Sequence, residues 1–113
     1  MANSGESLIG PGDPAPFALV NPGGQAPLLI ICDHTSNAVP EAMDGLGLGE
    51  AELGLHIAVD LGAAAIARRL AEKLDAAAVL TGYSRLLIDA NRRPGEPGSI
   101  PEISAGVPIP GNQ

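Results

Sequence analysis

Two short runs of apolar residues limit the folds open to this chain. Residues 27–32 read PLLIIC and residues 76–80 read AAAVL, and neither run alternates apolar with polar positions. Continuously apolar runs of this length are typical of strands covered on both faces, as in a parallel or mixed sheet. We therefore predict two buried strands, with the long stretch between them available for a helix.

The stretch over residues 51–74 carries the repeat of an amphipathic helix. On a helical wheel the apolar residues share one face and the charged residues lie opposite. The apolar set is Ala63, Ala67, Leu70 and Leu74, and the charged set is Arg68, Arg69 and Glu72. Strand, helix and strand in succession predict an α/β fold. Residues 85–89, RLLID, predict a third strand, although a hairpin with residues 76–80 would place Arg85 and Asp89 at opposite ends of the sheet.

The two ends of the chain show less hydrophobic periodicity than its middle. Residues 1–26 are rich in Pro and Gly and predict irregular structure, with residues 1–16 irregular or disordered, and residues 94–113 contain no long periodic segment. The 113 residues make one small domain or a piece of a larger one. A net charge of −7 argues against nucleic acid or an anionic membrane surface as a partner.

The single cysteine, Cys32, excludes an internal disulfide and is typical of a reducing compartment. The first residues lack the pattern of a secretory signal, and the apolar runs are too short to span a bilayer. We expect a cytoplasmic protein.

Both histidines of the chain lie where chemistry is plausible. His34 directly follows the first predicted strand, and sites in open α/β sheets gather at the carboxyl ends of strands. It is either a metal ligand or catalytic group, or a strand-end histidine bonded in a turn. His56 and Asp60 are four residues apart and would share a helical face. They either bind zinc or substrate, or form a buried structural pair.

Cationic residues flank the third apolar run. Arg85, Asn91 and Arg92 predict an anion site, because a guanidinium offers a planar fork that matches a carboxylate and Asn adds a directional donor. The alternative is a solvated, charged turn.

Several blocks of the sequence occur together and in a fixed order. They are LLIICDHTSNAVP, LHIAVDLGAAAIARRLAEKLDAAAVLTGYSRLLIDANR and ISAGVPIPGN, which carry DHxSNxxP, HxAxDxGA, YSRLxxDxNR and PGN. Over residues 17–113 the chain resembles the N-formylglutamate amidohydrolase family. That family is similar in fold to zinc carboxypeptidases and aspartoacylase-type deacylases. The resemblance implies a three-layer, phosphorylase/hydrolase-like mixed sheet with flanking helices, of which residues 1–113 are the N-terminal, incomplete part.

The resemblance also implies a chemistry. The expected reaction is zinc-assisted hydrolysis of N-formyl-L-glutamate to formate and L-glutamate. His34 falls on a metal ligand; Asn37 stands where related enzymes carry a glutamate ligand, so Asp60 becomes the candidate second ligand. Asn91 and Arg92 match an Asn-Arg pair that holds the substrate carboxylate.

Other residues receive supporting roles in this prediction. Arg85, Asn37 and His56 join Asn91 and Arg92 as substrate-binding candidates, and Asp89 would hold an arginine in place. No third zinc ligand or general base is evident, so we expect both beyond Gln113. The alternatives are another acyl-amino-acid deacylase, a carboxypeptidase-like hydrolase, or a non-catalytic fragment.

Overall fold

The computed structural model describes residues 7–113, which form a small mixed sheet, one long helix and several tight turns. The strands are β1 (Phe17–Val20), β2 (Leu29–Cys32), β3 (Ala77–Thr81), β4 (Ile103–Ser104) and β5 (Val107–Pro108), and the helices are α1 (Glu50–Leu53) and α2 (Ala63–Leu74). Two further segments, Glu41–Gly47 and Pro110–Asn112, form 3-10 turns. None of the helices within residues 7–113 has the length and apolar character needed to cross a bilayer.

The main sheet has the strand order β1-β3-β2. Strand β2 runs parallel to β3, and β1 runs antiparallel to it. The predictions of β2 and β3 from their apolar runs are confirmed. The prediction of irregular structure is wrong over Phe17–Val20, since this segment pairs with β3 from Phe17↔Thr81 to Val20↔Ala78. Its partner lies about 60 residues away in sequence, so the local pattern could not reveal it.

Helix α2 covers one face of this sheet. Ala67 and Ala71 pack against Ala78 and Leu80, and these small side chains let the helix approach the strands closely. The opposite face carries large apolar side chains that are each more than half exposed: Phe17, Leu19, Leu29 and Ile31. A mixed α/β architecture is therefore confirmed, with one helical layer on the sheet within residues 7–113.

The prediction of one helix over residues 51–74 is wrong in its middle. Residues 54–62 form turns between α1 and α2. Gly54 ends α1, and Gly62, at φ +85°, precedes α2 in a backbone conformation that favours glycine. His56 and Asp60 therefore do not share a helical face.

The predicted third strand over residues 85–89 is also wrong, because the chain turns there. Ser84 is fully buried, and its hydroxyl donates to the Ala58 carbonyl at 2.7 Å and accepts from the Leu86 N–H at 3.1 Å. The Leu87 N–H also donates a hydrogen bond to the Ser84 carbonyl at 3.0 Å. These bonds hold residues 84–87 in a tight turn.

A second apolar core lies beneath this turn. It consists of Leu46, Ile57, Ala58, Leu86 and Ile109. The side-chain amide of Asn112 donates to the carbonyls of Leu86 at 2.7 Å and Pro101 at 2.8 Å. The PGN block of the sequence thereby ties the end of the chain to the turn that follows β3.

Candidate functional site

The carboxylate of Asp89 is the centre of the cluster predicted from the sequence. Asp89 is 3% exposed. Its Oδ1 accepts from His34 Nε2 at 2.6 Å and from the Asn91 N–H at 3.0 Å, while its Oδ2 accepts from Arg85 Nη2 at 3.0 Å. Arg92 Nε lies 3.6 Å from the same Oδ2. One buried acid therefore joins an imidazole and two guanidiniums.

The charge of Asp89 follows from these contacts. Burial alone would raise the pKa of its carboxyl, but the hydrogen bonds from His34 and the Asn91 N–H, together with the Arg85 guanidinium, lower it by more. Its pKa therefore lies below its ordinary value, and the group is ionised at neutral pH. Because a carboxylate can only accept, His34 Nε2 carries the proton in their contact. Two guanidiniums against one carboxylate leave one positive charge.

The turn over residues 84–89 is what makes this cluster possible. In a strand, residues four apart are separated by about 13 Å, too far for Arg85 to grip Asp89. The turn brings Arg85 Nη2 to 3.0 Å from Asp89 Oδ2. A second loop supports the acid from behind, since the Asp89 N–H donates to the Ser99 carbonyl at 2.8 Å.

Glycine is required beside Arg92. Gly98 has φ +88°, and a Cβ there would lie 3.3 Å from Arg92 Cζ. The absent side chain leaves space for the guanidinium to pack flat on the loop. Arg92 is thus positioned both by its ion pair with Asp89 and by the backbone of this glycine.

His34 is held by the loop that follows β2. Its φ is +62°, in the left-handed region that a non-glycine residue occupies at a cost of about 1–3 kcal/mol. The surrounding bonds fix this conformation: the His34 carbonyl accepts from the Asp60 N–H at 2.7 Å, and the neighbouring Thr35 hydroxyl donates to the Thr81 carbonyl at 2.7 Å. The result is an imidazole aimed at Asp89.

A cavity of about 330 Å³ adjoins this cluster, and both His34 and Arg85 line it. Ser7, Leu8, Ile9 and Pro16 line it, and they belong to residues 7–16, which we call the strap. Three bonds hold the strap down: the Asp13 carboxylate accepts from the Glu41 N–H at 3.0 Å, the Pro16 carbonyl accepts from the Gly82 N–H at 2.8 Å, and the Tyr83 hydroxyl donates to the Pro14 carbonyl.

A second cavity of about 230 Å³ also has Arg85 in its lining. Arg92, Asp89, Gly98 and Ser104 also line it. Arg85 therefore separates two spaces, one beside the imidazole of His34 and one beside the second guanidinium. A ligand that spans both would meet a positive charge at their junction.

The structure gathers some of the predicted site residues and separates others. Arg85, Arg92 and His34 meet at Asp89, whereas Asn91 contributes its backbone N–H and has an exposed side chain. Asn37 donates to the Leu53 carbonyl at 2.9 Å, which links the loop after β2 to the last residue of α1. The binding roles predicted for Asn37 and Asn91 stay predictions.

His56 and Asp60 lie apart from the Asp89 cluster. His56 is exposed on the turn between the helices. Asp60 lines a separate cavity of about 290 Å³ together with Cys32. Burial raises the pKa of the Cys32 thiol, with further contributions from the charges of Asp33 and Asp60. The ligand role of Asp60 and the substrate role of His56 stay predictions.

The potential metal ligands among the described residues form only part of a zinc site. A catalytic zinc usually takes three protein ligands, and residues 7–113 contain no group of three His, Cys, Asp or Glu side chains able to hold a metal. However, a metal-bound histidine commonly donates its other ring N–H to a carboxylate, and His34 does so to Asp89. The described residues thus provide one oriented imidazole nitrogen, Nδ1, and do not fit zinc by themselves.

From the sequence, the only role predicted for Asp89 was to hold an arginine, and no role was predicted for the strap. The structure adds the bond from His34 to Asp89, which makes the acid common to both predicted parts of the site. The sequence did contain a signal for this bond, since His34 and Asp89 each come at the end of a short apolar run. The strap has no comparable pattern, because Leu8 and Ile9 stand alone among Pro and Gly.

Comparison with known proteins agrees with the motif blocks. A family model described as N-formylglutamate amidohydrolase matches residues 26–113. The chain belongs to the N-formylglutamate amidohydrolase family. The crystal structure of gene product Atu2144 from Agrobacterium tumefaciens is similar, with a TM-score of 0.83 and 38% sequence identity.

That similarity covers 89% of this chain and 39% of the Agrobacterium protein. The chain therefore spans about two fifths of the length of that relative. No curated protein matches the chain.

Proposed function

We propose that this chain forms the imidazole and carboxylate-binding part of an amide hydrolase that acts on N-acyl amino acids. In the reference reaction, water supplies a hydroxyl to the acyl carbon of N-formyl-L-glutamate, the C–N bond breaks, and the remaining proton goes to the amine nitrogen. The products are formate and L-glutamate. The observation that carries the proposal is the Asp89 carboxylate, which joins His34 to Arg85 and Arg92 beside two cavities.

The two guanidiniums supply the affinity for the substrate carboxylate. Asp89 neutralises one of their two charges, so one remains for a monoanionic group. Arg85 and Arg92 are 33% and 46% exposed, which leaves donors free to reach a ligand. A planar guanidinium binds a carboxylate through two parallel hydrogen bonds, which fixes its orientation as well as its position.

His34 is placed for the reacting end of the substrate. It lines the larger cavity, and Asp89 holds its Nε2 so that Nδ1 is the nitrogen left for chemistry. We propose that Nδ1 contributes one ligand to zinc, with further ligands from outside the described cluster. A bound zinc would polarise the acyl carbonyl and activate water. The residues of this chain, for their part, orient the imidazole and hold the substrate carboxylate.

The first experiment measures turnover and metal in one sample. Purified chain is assayed for formate release from N-formyl-L-glutamate, and its zinc content is determined. Because the described residues offer one oriented imidazole and no group of three ligands, the supporting result is a zinc content of any size that falls in His34→Asn, and asparagine suits the left-handed backbone at this position. Zinc content unchanged by His34→Asn would refute that role.

Carboxylate binding is tested separately by calorimetric titration, because it does not depend on turnover. A charge-assisted hydrogen bond contributes about 1.5–3 kcal/mol, so Arg85→Gln should weaken binding of N-formyl-L-glutamate by about 10- to 150-fold. Arg69→Gln is the matched control, since Arg69 is exposed on α2 and lines none of the described cavities. Equal binding by both variants would overturn the proposed function.

A further inference from the structure

We propose that the 330 Å³ cavity receives an apolar acyl chain, so that this site takes N-acyl amino acids whose acyl group is much larger than formyl. The inference rests on the proposed function, because it requires the carboxylate of the same ligand to bind at Arg85. It assigns a substrate class from the shape and lining of the cavity.

The lining of the cavity is mostly apolar; its polar members are His34 and Arg85 and the hydroxyl residues Ser7, Thr81 and Tyr83. Apolar side chains face it from the strap and from the loops below: Leu8, Ile9, Pro16, Pro40, Leu87 and Ile88. A charged or strongly polar ligand group placed among these side chains would lose its hydration without gaining partners. An aliphatic chain would lose nothing and would remove their apolar surface from water.

The hydroxyl groups around the cavity are already engaged within the protein. Thr81 shares a 3.2 Å contact between its hydroxyl and that of Thr35. The Tyr83 hydroxyl donates to the Pro14 carbonyl of the strap. These two side chains therefore present mainly carbon to the cavity.

The size of the cavity also exceeds what a formyl group needs. An apolar cavity of about 150 Å³ accommodates benzene, and this one is about 330 Å³. A formyl group would leave most of it empty. Pockets that bind small molecules begin at roughly this size, so the volume suits an acyl chain of several carbons.

The positions of the two arginines indicate that the acyl group, and not the amino-acid side chain, occupies the 330 Å³ cavity. Arg85 lines both cavities, whereas Arg92 lines only the smaller of the two. A carboxylate at the two guanidiniums directs the other end of the ligand past Arg85 towards His34. The amide carbonyl would then lie near the imidazole, with the acyl chain beyond it under the strap.

The test is a series of N-acyl-L-glutamates with formyl, acetyl, butanoyl and hexanoyl groups, titrated into the purified chain by calorimetry. Burial of one methylene contributes about 0.8 kcal/mol, so affinity should rise about fourfold per added carbon until the cavity is filled. Ala90→Phe, which narrows the cavity, should flatten this dependence. Ala65→Phe, on the exposed side of α2, should retain it.

The other outcomes separate this inference from the proposed function. Equal affinity for formyl and hexanoyl compounds, with binding still dependent on Arg85, would overturn the acyl assignment and leave the proposed function standing. Tighter binding of N-formyl-L-norleucine than of N-hexanoyl-L-glutamate would place the amino-acid side chain in the cavity and also overturn it. Failure of every compound to bind would overturn both.

Discussion

Replacing Asp89 with asparagine should destabilise the protein by about 1.5–3 kcal/mol at neutral pH. The side chain is 4% exposed, and both of its oxygens face only donors: His34 Nε2 and the Asn91 N–H on one side, and two guanidiniums on the other. The amide of asparagine has one oxygen and one NH₂ group, so one side must become a contact between donors.

The magnitude follows from which contact is lost. The guanidiniums are partly exposed and can turn towards water, so the NH₂ group should face them. One hydrogen bond between charged groups then disappears, at a cost of about 1.5–3 kcal/mol. Solvent screening limits any further electrostatic loss at these exposed partners. Replacement by alanine would remove every contact and should cost more, about 3–5 kcal/mol, as for a broken buried ion pair.

Urea unfolding followed by far-ultraviolet circular dichroism measures the loss, since the chain has no tryptophan to report by fluorescence. With a urea m-value of about 1–3 kcal/mol per molar, a loss of about 1.5–3 kcal/mol should lower the midpoint of Asp89→Asn by about 0.5–3 M. Asp44→Asn is the matched control, because Asp44 is exposed, and it should change stability by less than about 0.5 kcal/mol. A midpoint for Asp89→Asn within error of the control would refute the assignment.

The pH dependence has a defined sign. The pKa of Asp89 in the folded chain is lower than its ordinary value of 3.8. Its contribution to stability is therefore fully present above about pH 4 and is lost as the pH falls below 3.8 through the folded pKa. The stability difference between wild type and Asp89→Asn should shrink in that acidic window, and a difference that grew there would contradict the reasoning.

Three further variants test other parts of the structure. Ser84→Ala leaves two buried backbone groups unpaired and should destabilise the protein by about 2–4 kcal/mol in urea unfolding; a loss under 1 kcal/mol would contradict this. Gly98→Ala introduces a side chain at φ +88° and should lower stability by about 1–2 kcal/mol, whereas Gly23→Ala, in open space, should be nearly neutral. Equal effects would refute the requirement for glycine. Cys32 should alkylate more slowly at pH 8 than free cysteine, and Asp60→Asn should accelerate it; no acceleration would show that the two side chains are not neighbours.

The sequence predicted the elements whose signal is local. Strands β2 and β3 are continuous apolar runs, and α2 has a helical repeat within a single turn-free segment. Strand β1 escaped prediction because its four residues form a strand only by pairing with β3. The helix was predicted too long because the repeat was extended across Gly54 and Gly62, whose conformational freedom ends the helical segments.

The site was predictable in its residue types and less so in its geometry. The strand-end histidine and the clustered arginines were each predicted as candidate site residues, and His34, Arg85 and Arg92 meet at Asp89. The run RLLID resembles a buried strand, yet the bonds of Ser84 to distant backbone groups convert it into a turn. No local pattern encodes those contacts, so the i,i+4 bond between Arg85 and Asp89 could be seen only in the structure.

The most direct test of the Asp89-centred site is the tautomer of His34 in solution. The chain has two histidines, so a long-range ¹H–¹⁵N spectrum of the imidazoles contains two sets of signals, and a His56→Asn sample assigns them. The neutral imidazole of His34 should carry its proton on Nε2 and leave Nδ1 unprotonated, and Asp89→Ala, which removes both carboxylate oxygens, should abolish this preference. A proton on Nδ1 of the neutral imidazole, or signals that Asp89→Ala leaves unchanged, would contradict the account.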